Sequence, residues 1–410
     1  MSLIVQKYGG SSVADPERIR RVAARVAAAR KKGHSLVVVV SALGDTTDDL
    51  LGLAAKITLK PSHRELDMLM STGEQISVAL LAMALHELKC DAISFTGGQV
   101  GILTDSSHTC ARILDIHTHR ILDALKKGKV VIVAGFQGVS ADQEITTLGR
   151  GGSDLTAVAL AKALKADTCE IYTDVEGIFT TDPRLVKKAV KVHRISYEEM
   201  LELASSGAQV MQSRSIEVAG KYDIPLHVRS SFTHKEGTWI VKEDKSMEDV
   251  LIRGVSVNKD EAKLTVSGVP NRPGVAAVIF KKLSDAGINV DMIIQNIGKS
   301  KATDISFTVP KKDAGHAVDC LKTVAKKIGI QGISKDVNMS KVSVVGIGMR
   351  SHAGVAAAMF EVLGSNGINI EMISTSEIKI SVVIKKDGAE KAVRLLHDHF
   401  NLGKHQKHEL

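Results

Sequence analysis

Leu3-Ile4-Val5-Gln6-Lys7-Tyr8-Gly9-Gly10-Ser11-Ser12 carries an apolar strand straight into a lysine, two glycines and two hydroxyls. The stretch reads as a phosphate cradle. Glycines let backbone N–H groups come close to an anion, and Lys7 places a mobile positive charge at the strand end. Asp15-Pro16 is a cap followed by a first-turn proline, so a helix opens behind the cradle. The same residues would also serve as an ordinary strand-turn-helix corner, so the motif needs company. The chain has no Gly-x-x-x-x-Gly-Lys-Ser/Thr run and no protein-kinase His-Arg-Asp or Asp-Phe-Gly set, which excludes two other phosphate-handling designs.

Outward from this strand, residues 1 to about 230 alternate short β-branched runs with alanine-rich helical stretches. Leu36-Val37-Val38-Val39-Val40, Val130-Val131-Ile132-Val133-Ala134 and Glu170-Ile171-Tyr172-Thr173 read as buried strands, with a helix over Ala157 to Leu164. The pattern predicts an α/β domain over residues 1–240: an open twisted sheet with helices on both faces. In such sheets ligands gather beyond the carboxyl ends of strands, so Lys7, Ser41 and Thr173-Asp174 are expected to face one crevice.

The second half contains an internal repeat. VPNRPGVAAVIFKKLSDAGINVDMI from Val269 aligns without gaps onto MRSHAGVAAAMFEVLGSNGINIEMI from Met349, sharing Gly274/Gly354, Phe280/Phe360, Leu283/Leu363, Gly287/Gly367 and Asn289/Asn369. Each copy reads as strand, glycine loop, amphipathic helix, strand, strand, helix, with a strand at Asp304 to Val309 and another at Lys379 to Ile384. Two α+β βαββαβ modules are expected over 251–410, with copies around 261–337 and 341–402 and strand exchange between them left open. A charged stretch without apolar periodicity makes 241–250 the expected linker. A dimerisation module without ligand would carry the same pattern.

Composition narrows the partners. With 410 residues, 44% hydrophobic and 24% charged, the chain is expected to form two or three ordinary globular domains. No apolar run reaches the roughly 18 residues of a membrane span and no leader pattern opens the chain, so the expectation is a cytoplasmic protein with no membrane partner. The closing Lys407-His408-Glu409-Leu410 resembles a retrieval tail, but without a leader it is read as coincidence. Cys90, Cys110, Cys169 and Cys320 lack paired ligand spacing, so neither a disulfide nor a structural zinc is expected. The net charge is +8, yet aromatics are only 3% and the lysines are scattered, which argues against nucleic acid and for an anionic small substrate. His117, His119, His397 and His399 have no carboxylate or cysteine partners at ligand spacing and read as solvated histidines.

Four segments together resemble the monofunctional bacterial aspartate kinases of the amino-acid-kinase superfamily: Lys7 to Ser12, Gly73-Glu74, Thr147-Leu148-Gly149-Arg150-Gly151-Gly152-Ser153-Asp154, and Tyr172-Thr173-Asp174-Val175-Glu176-Gly177-Ile178-Phe179-Thr180-Thr181-Asp182-Pro183-Arg184. The repeat is similar to the paired ACT regulatory domains of those enzymes. No dinucleotide fingerprint is present, so a fused homoserine dehydrogenase is not expected. The resemblance implies transfer of the γ-phosphoryl of ATP, taken with Mg2+, to the β-carboxylate of L-aspartate, the first step toward lysine, threonine and methionine. A sister amino-acid kinase and an inactive amino-acid sensor are the alternatives.

Residue by residue, the resemblance implies Lys7 and Asp154 as catalytic. Ser41, Thr47, Glu74, Arg150, Gly151, Gly152 and Ser153 would face the substrate, Glu74 taking its ammonium and Arg150 its α-carboxylate. Lys7, Gly9, Gly10, Ser11, Thr173, Asp174, Phe179, Arg184 and Gln209 would face ATP, with Mg2+ held by phosphates and water rather than by a dedicated protein site. Gln209 stands where relatives often have a lysine, which weakens the expected nucleotide contact there. Lysine, threonine or both would bind near Gly274, Asn289, Asp291, Gln295 and Asn296 and near Gly354, Asn369 and Glu371. A homodimer or larger assembly through the ACT modules is implied, with an α2β2 arrangement open if a regulatory subunit is translated from Met247.

Overall fold

Runs of consecutive β-branched residues form strands covered on both faces. In the computed structural model, which describes residues 2–208, 210–243, 250–297 and 302–404, they build an eight-stranded sheet. Its order is Arg194–Ser196, Thr238–Val241, Leu226–Ser230, Thr168–Thr173, Leu3–Tyr8, Ser35–Val40, Val130–Ala134, Ala92–Phe95. Neighbours run parallel except Leu226–Ser230 against Thr238–Val241. Side chains alternate between two cores: Val5, Val37, Val39, Val131 and Val133 face one, Leu36, Val38, Val40, Ile132 and Ala134 the other. Helices Pro16–Lys31 and Thr72–Glu87 cover the second face through Ile19, Val22, Val26, Val78, Leu81 and Leu85. Helix Gly152–Leu164 covers the first through Val158 and Leu160, and each such buried side chain contributes about 1.5–3 kcal/mol.

The register places the crevice. Tyr8 lies opposite both Val40 and Tyr172, so Gly9, Ser41 and Thr173 leave the sheet at one level at its carboxyl edge. Between Leu3–Tyr8 and Pro16–Lys31 the chain makes a 3-10 turn, Gly10–Ser12, before Asp15 caps the helix by accepting the Arg18 N–H at 2.8 Å. The helix thus opens at Asp15-Pro16, as expected from the cap and first-turn proline. A four-stranded sheet ordered Ile113–Ile116, Ile102–Thr104, Gln137–Val139, Ile145–Thr147 leads into the glycine-rich segment that carries Arg150.

By length and composition, His63–Glu87 is one helical stretch long and apolar enough to cross a membrane, which the run-length reading passed over. Half of its most apolar 18-residue window is buried, with Val78, Leu81 and Leu85 against the sheet, as in the core helix of a globular domain.

The second half is a six-stranded antiparallel sheet ordered Ile293–Ile297, Ala302–Pro310, Gly254–Pro270, Gly332–Val345, Lys379–Lys385, Ile370–Thr375. Its two central strands are long and each is shared. Residues 254–258 pair with 341–345 beside the second copy's strands, whereas 263–267 pair with 332–336 in the first. Irregular register at Asn258, Glu261 and Lys263 marks the change of partner. Each copy keeps its own apolar core: Leu264, Ile279, Leu283, Ile305 and Phe307 in the first, Val342, Val344, Met359, Leu363, Val382 and Leu396 in the second. Of the expected linker, Val241 ends a strand, and residues 244–249, Met247 among them, lie outside the described residues.

Candidate active site

Lys7 is the penultimate residue of the central strand, and its ammonium sits 2.6 Å from the carboxylate of Asp154, with side chains only 12% and 8% exposed. Asp154 occupies the first turn of helix Gly152–Leu164, where the macrodipole favours a negative charge. Gly151 enters that helix at φ +71°, in the left-handed region, and a Cβ there would lie 1.8 Å from the Gln212 side chain. Only glycine fits. At the opposite wall a Cβ on Gly10 would come within 2.8 Å of the Gly44 carbonyl, so the cradle and the loop after Ser35–Val40 touch backbone to backbone.

These residues open onto a cavity of about 550 Å³ lined by Lys7, Gly9, Gly10, Ser41, Thr47, Glu74 and the run Arg150 to Asp154. Ser11 is not among its lining: it is exposed, and its carbonyl accepts from Arg18 at 2.7 Å. Glu74 is 2% exposed; one carboxylate oxygen accepts the Ala42 N–H at 3.2 Å and the other has no partner. Burial pushes its pKa up to about 7. A buried carboxylate with a free oxygen in a cavity is suited to an incoming ammonium. Arg150 is exposed and makes no ion pair among the described residues, leaving its guanidinium open to a carboxylate.

No sequence signal marks Asp67, the fully buried residue that shapes this cavity. Its carboxylate accepts from His108 Nδ1 at 2.8 Å, from the Thr109 N–H at 3.0 Å and from the Thr147 hydroxyl at 2.5 Å. Thr109 lines the cavity, and Thr147 immediately precedes the segment that carries Arg150. Because these partners come from a distant loop and strand, no local spacing could have revealed the cluster.

A second cavity of about 470 Å³ is lined by Thr173, Asp174, Phe179 and Arg184, together with Gly207, Ala208 and residues 255–257. The Gly9 N–H, at the first cavity, donates to the carbonyl of Tyr172, the residue before Thr173, at 3.3 Å. Arg184 projects into solvent and holds Asp182 at 2.8 Å, which lowers the Asp182 pKa. Gln209 lies outside the described residues.

In the repeat, Gly274 and Gly354 begin helices at φ +89° and +100° with open space around them. Asn289, Asp291, Gln295, Asn296 and Asn369 are exposed. Asp291 is ion-paired to Lys341 of the second copy, and Glu371 of the second copy pairs with Lys263 of the first at 2.9 Å. His397 corrects the sequence expectation: it is fully buried, its Nε2 3.0 Å from the Thr180 hydroxyl. Packing of the repeat against the first half closes over it, which periodicity on its own helix does not reveal.

The sequence matches the amino acid kinase family over residues 2–230 and the ACT domain over residues 264–324 and 342–400. The chain is 54% identical over 403 residues to an aspartate kinase of Stutzerimonas stutzeri, covering 98% of each chain. Among solved structures, E. coli aspartokinase III in complex with aspartate and ADP, described as R-state, is 27% identical over 97% of this chain and 99% of that one, with a TM-score of 0.83. The same enzyme with lysine and aspartate, described as T-state, gives a TM-score of 0.75 at the same identity and coverage. A strand-end lysine paired with a buried aspartate, a cavity lined by Glu74 and Arg150, and two shared-strand ACT modules thus agree with full-length similarity: the chain belongs to the amino acid kinase family and, within it, to the aspartokinases.

Proposed function

We propose that this chain transfers the γ-phosphoryl group of ATP to the β-carboxylate of L-aspartate, giving 4-phospho-L-aspartate and ADP. A β-carboxylate oxygen bonds to the γ-phosphorus, the bond from that phosphorus to the bridging oxygen breaks, and ADP leaves with the electron pair. The nucleophile is already ionised at neutral pH, so no general base is required. Alignment and charge neutralisation are what remain for the protein. The observation that carries this reading is the buried Lys7–Asp154 pair at 2.6 Å, at the wall of a cavity that also holds Glu74 and Arg150.

In this reading Lys7 and the N–H group of Gly10 receive the phosphates, Gly9 lets the backbone come close to them, and Asp154 keeps the lysine in place. Glu74 pairs with the α-ammonium, Arg150 with the α-carboxylate, and Ser41, Thr47 and the 151–153 turn surround the reacting end. Thr173, Asp174 and Phe179 take the nucleoside. Among the described residues no group of three or more His, Cys, Asp or Glu could hold a metal, so Mg2+ would arrive with the nucleotide on phosphate oxygens and water. Bound there, it would neutralise phosphate charge.

Feedback by lysine, threonine or both is the regulatory part of the proposal, supported by the lysine complex of E. coli aspartokinase III and by the exposed loops at Gly274 and Gly354. Pairing of two chains through the repeats would complete those sites. An ATP-dependent hydroxamate assay over aspartate, glutamate and related acids tests the substrate: turnover should require aspartate, and equal turnover with glutamate would overturn the assignment.

A further inference from the structure

The loop that follows Thr173-Asp174 leaves the kinase sheet and is buried in the second repeat copy. Val186 lies inside that copy's apolar core with Val355, Met359 and Leu396, and Leu185 packs at its edge. The Thr180 carbonyl accepts the Val255 N–H at 2.8 Å, and Arg394 donates to the Leu185 carbonyl at 3.1 Å. The Thr180 hydroxyl accepts the Val190 N–H at 3.1 Å and is hydrogen-bonded to His397 Nε2 at 3.0 Å. Burial holds the His397 pKa below its ordinary value.

The opposite side of the same loop presents Phe179, Asp182 and Arg184 to the second cavity, and residues 255–257, on the strand that joins the second copy's sheet, form another wall. The first copy's core contains no residue of this loop. The two copies, alike in sequence, are therefore unlike in attachment.

We infer that the second repeat copy is a structural part of the nucleotide site, with His397, through Thr180, and Val186 acting as positioning residues that hold residues 179–184 in the shape that receives the nucleotide. The inference rests on reading the 173–184 segment as the nucleotide loop. A loop released from this anchorage must be ordered at the moment of binding, and that lowers the apparent affinity by the fraction of time it is out of place.

The test is calorimetric titration of the full chain with ADP alongside steady-state kinetics for aspartate. His397→Ala and Val186→Ala should each raise the ADP Kd about three- to tenfold, the range expected for loss of one net hydrogen bond or a similar contact. The aspartate KM should stay within about twofold in both, and His397→Gln should recover most of the lost affinity, as expected if one hydrogen bond to Thr180 is what matters. Thr180→Val carries the same test should His397→Ala fail to fold, and the Thr180–His397 double variant should bind no worse than either single one. An unchanged ADP Kd in folded variants, or an equal rise in both substrates' constants, overturns the inference. Asp174→Ala separates the two levels of the argument: if it weakens ADP while the anchor variants do not, only the anchorage fails. If Asp174→Ala leaves ADP binding intact, the nucleotide-loop reading fails and the inference with it.

Discussion

The carboxylate of Glu199 and the guanidinium of Arg253 are both fully buried and lie 3.3 Å apart, joining the catalytic half to the sheet of the regulatory half. Glu199 also accepts the Ile347 N–H at 3.2 Å and closes a capping box with Ser196. Its neighbours on helix Tyr197–Ser205 reach the same module: Glu198 pairs with Arg350 at 2.5 Å and Glu202 with Lys379 at 2.7 Å. The buried pair and the exposed one should differ in consequence. Glu199→Ala is expected to destabilise the fold by about 3–5 kcal/mol, because it removes at once a buried charge of the Arg253 pair, the acceptor of the Ile347 N–H and the capping box, whereas Glu198→Ala should cost at most about 1 kcal/mol. Denaturant titrations of the two variants would decide, and similar small losses would refute the joint.

Lys7→Ala should lower kcat by about two to four orders of magnitude while leaving the aspartate affinity nearly unchanged, since it removes preorganised charge from the transferring group. Single-turnover kinetics of the folded variant checks this. Turnover within tenfold of the wild type would mean that another group meets the phosphate.

Glu74 links pH to both stability and substrate. Its folded pKa, about 7, stands above the ordinary 4.5, so between those values the folded chain holds a proton that the unfolded chain has released. Stability therefore falls as pH rises through that window, and Glu74→Gln should be the more stable protein at pH 8 by up to about 3 kcal/mol. Thermal melts at pH 5 and pH 8 would show the difference shrinking at the lower pH. In the wild type the aspartate KM should rise below pH 7, as the protonated carboxyl loses its pairing with the ammonium. In the variant it should be high and flat.

Arg150→Ala should raise the aspartate KM by about tenfold or more, the scale of a charge-assisted contact, with the ADP Kd unmoved. Parallel losses for both ligands would assign Arg150 to the fold instead.

Gln295→Ala should release feedback inhibition while leaving kcat without effector unchanged, because Gln295 is exposed and far in sequence from the catalytic segments. Asp291→Ala is the companion variant: Lys341, which it would leave behind, keeps Glu261 at 3.4 Å and so stays paired. Inhibition curves with lysine and threonine, alone and together, check both. Full inhibition in each variant would remove these residues from the effector site.

Much of the molecule was legible in the chain itself. The strands at Ser35–Val40 and Val130–Ala134 follow from nearly unbroken β-branched runs and that at Thr168–Thr173 from its β-branched and aromatic residues, the repeat from its shared glycines, and the glycine-rich turn before Asp154 from the left-handed backbone that only such residues adopt cheaply. These are local properties, carried by each residue's own conformational preference and by periodicity. Which distant groups meet is not local. Packing of helix Gly152–Leu164 on the sheet sets Lys7 against Asp154, and packing of the two halves buries His397 under the 178–192 loop. Partner choice turns Arg184 toward Asp182, leaves Ser11 outside the cavity, and makes Asp67 the hub of a cluster that no spacing announces. Apolar patterning specifies how much of a helix or strand is buried, whereas a charge or hydroxyl finds its partner only once those elements are stacked in one particular order.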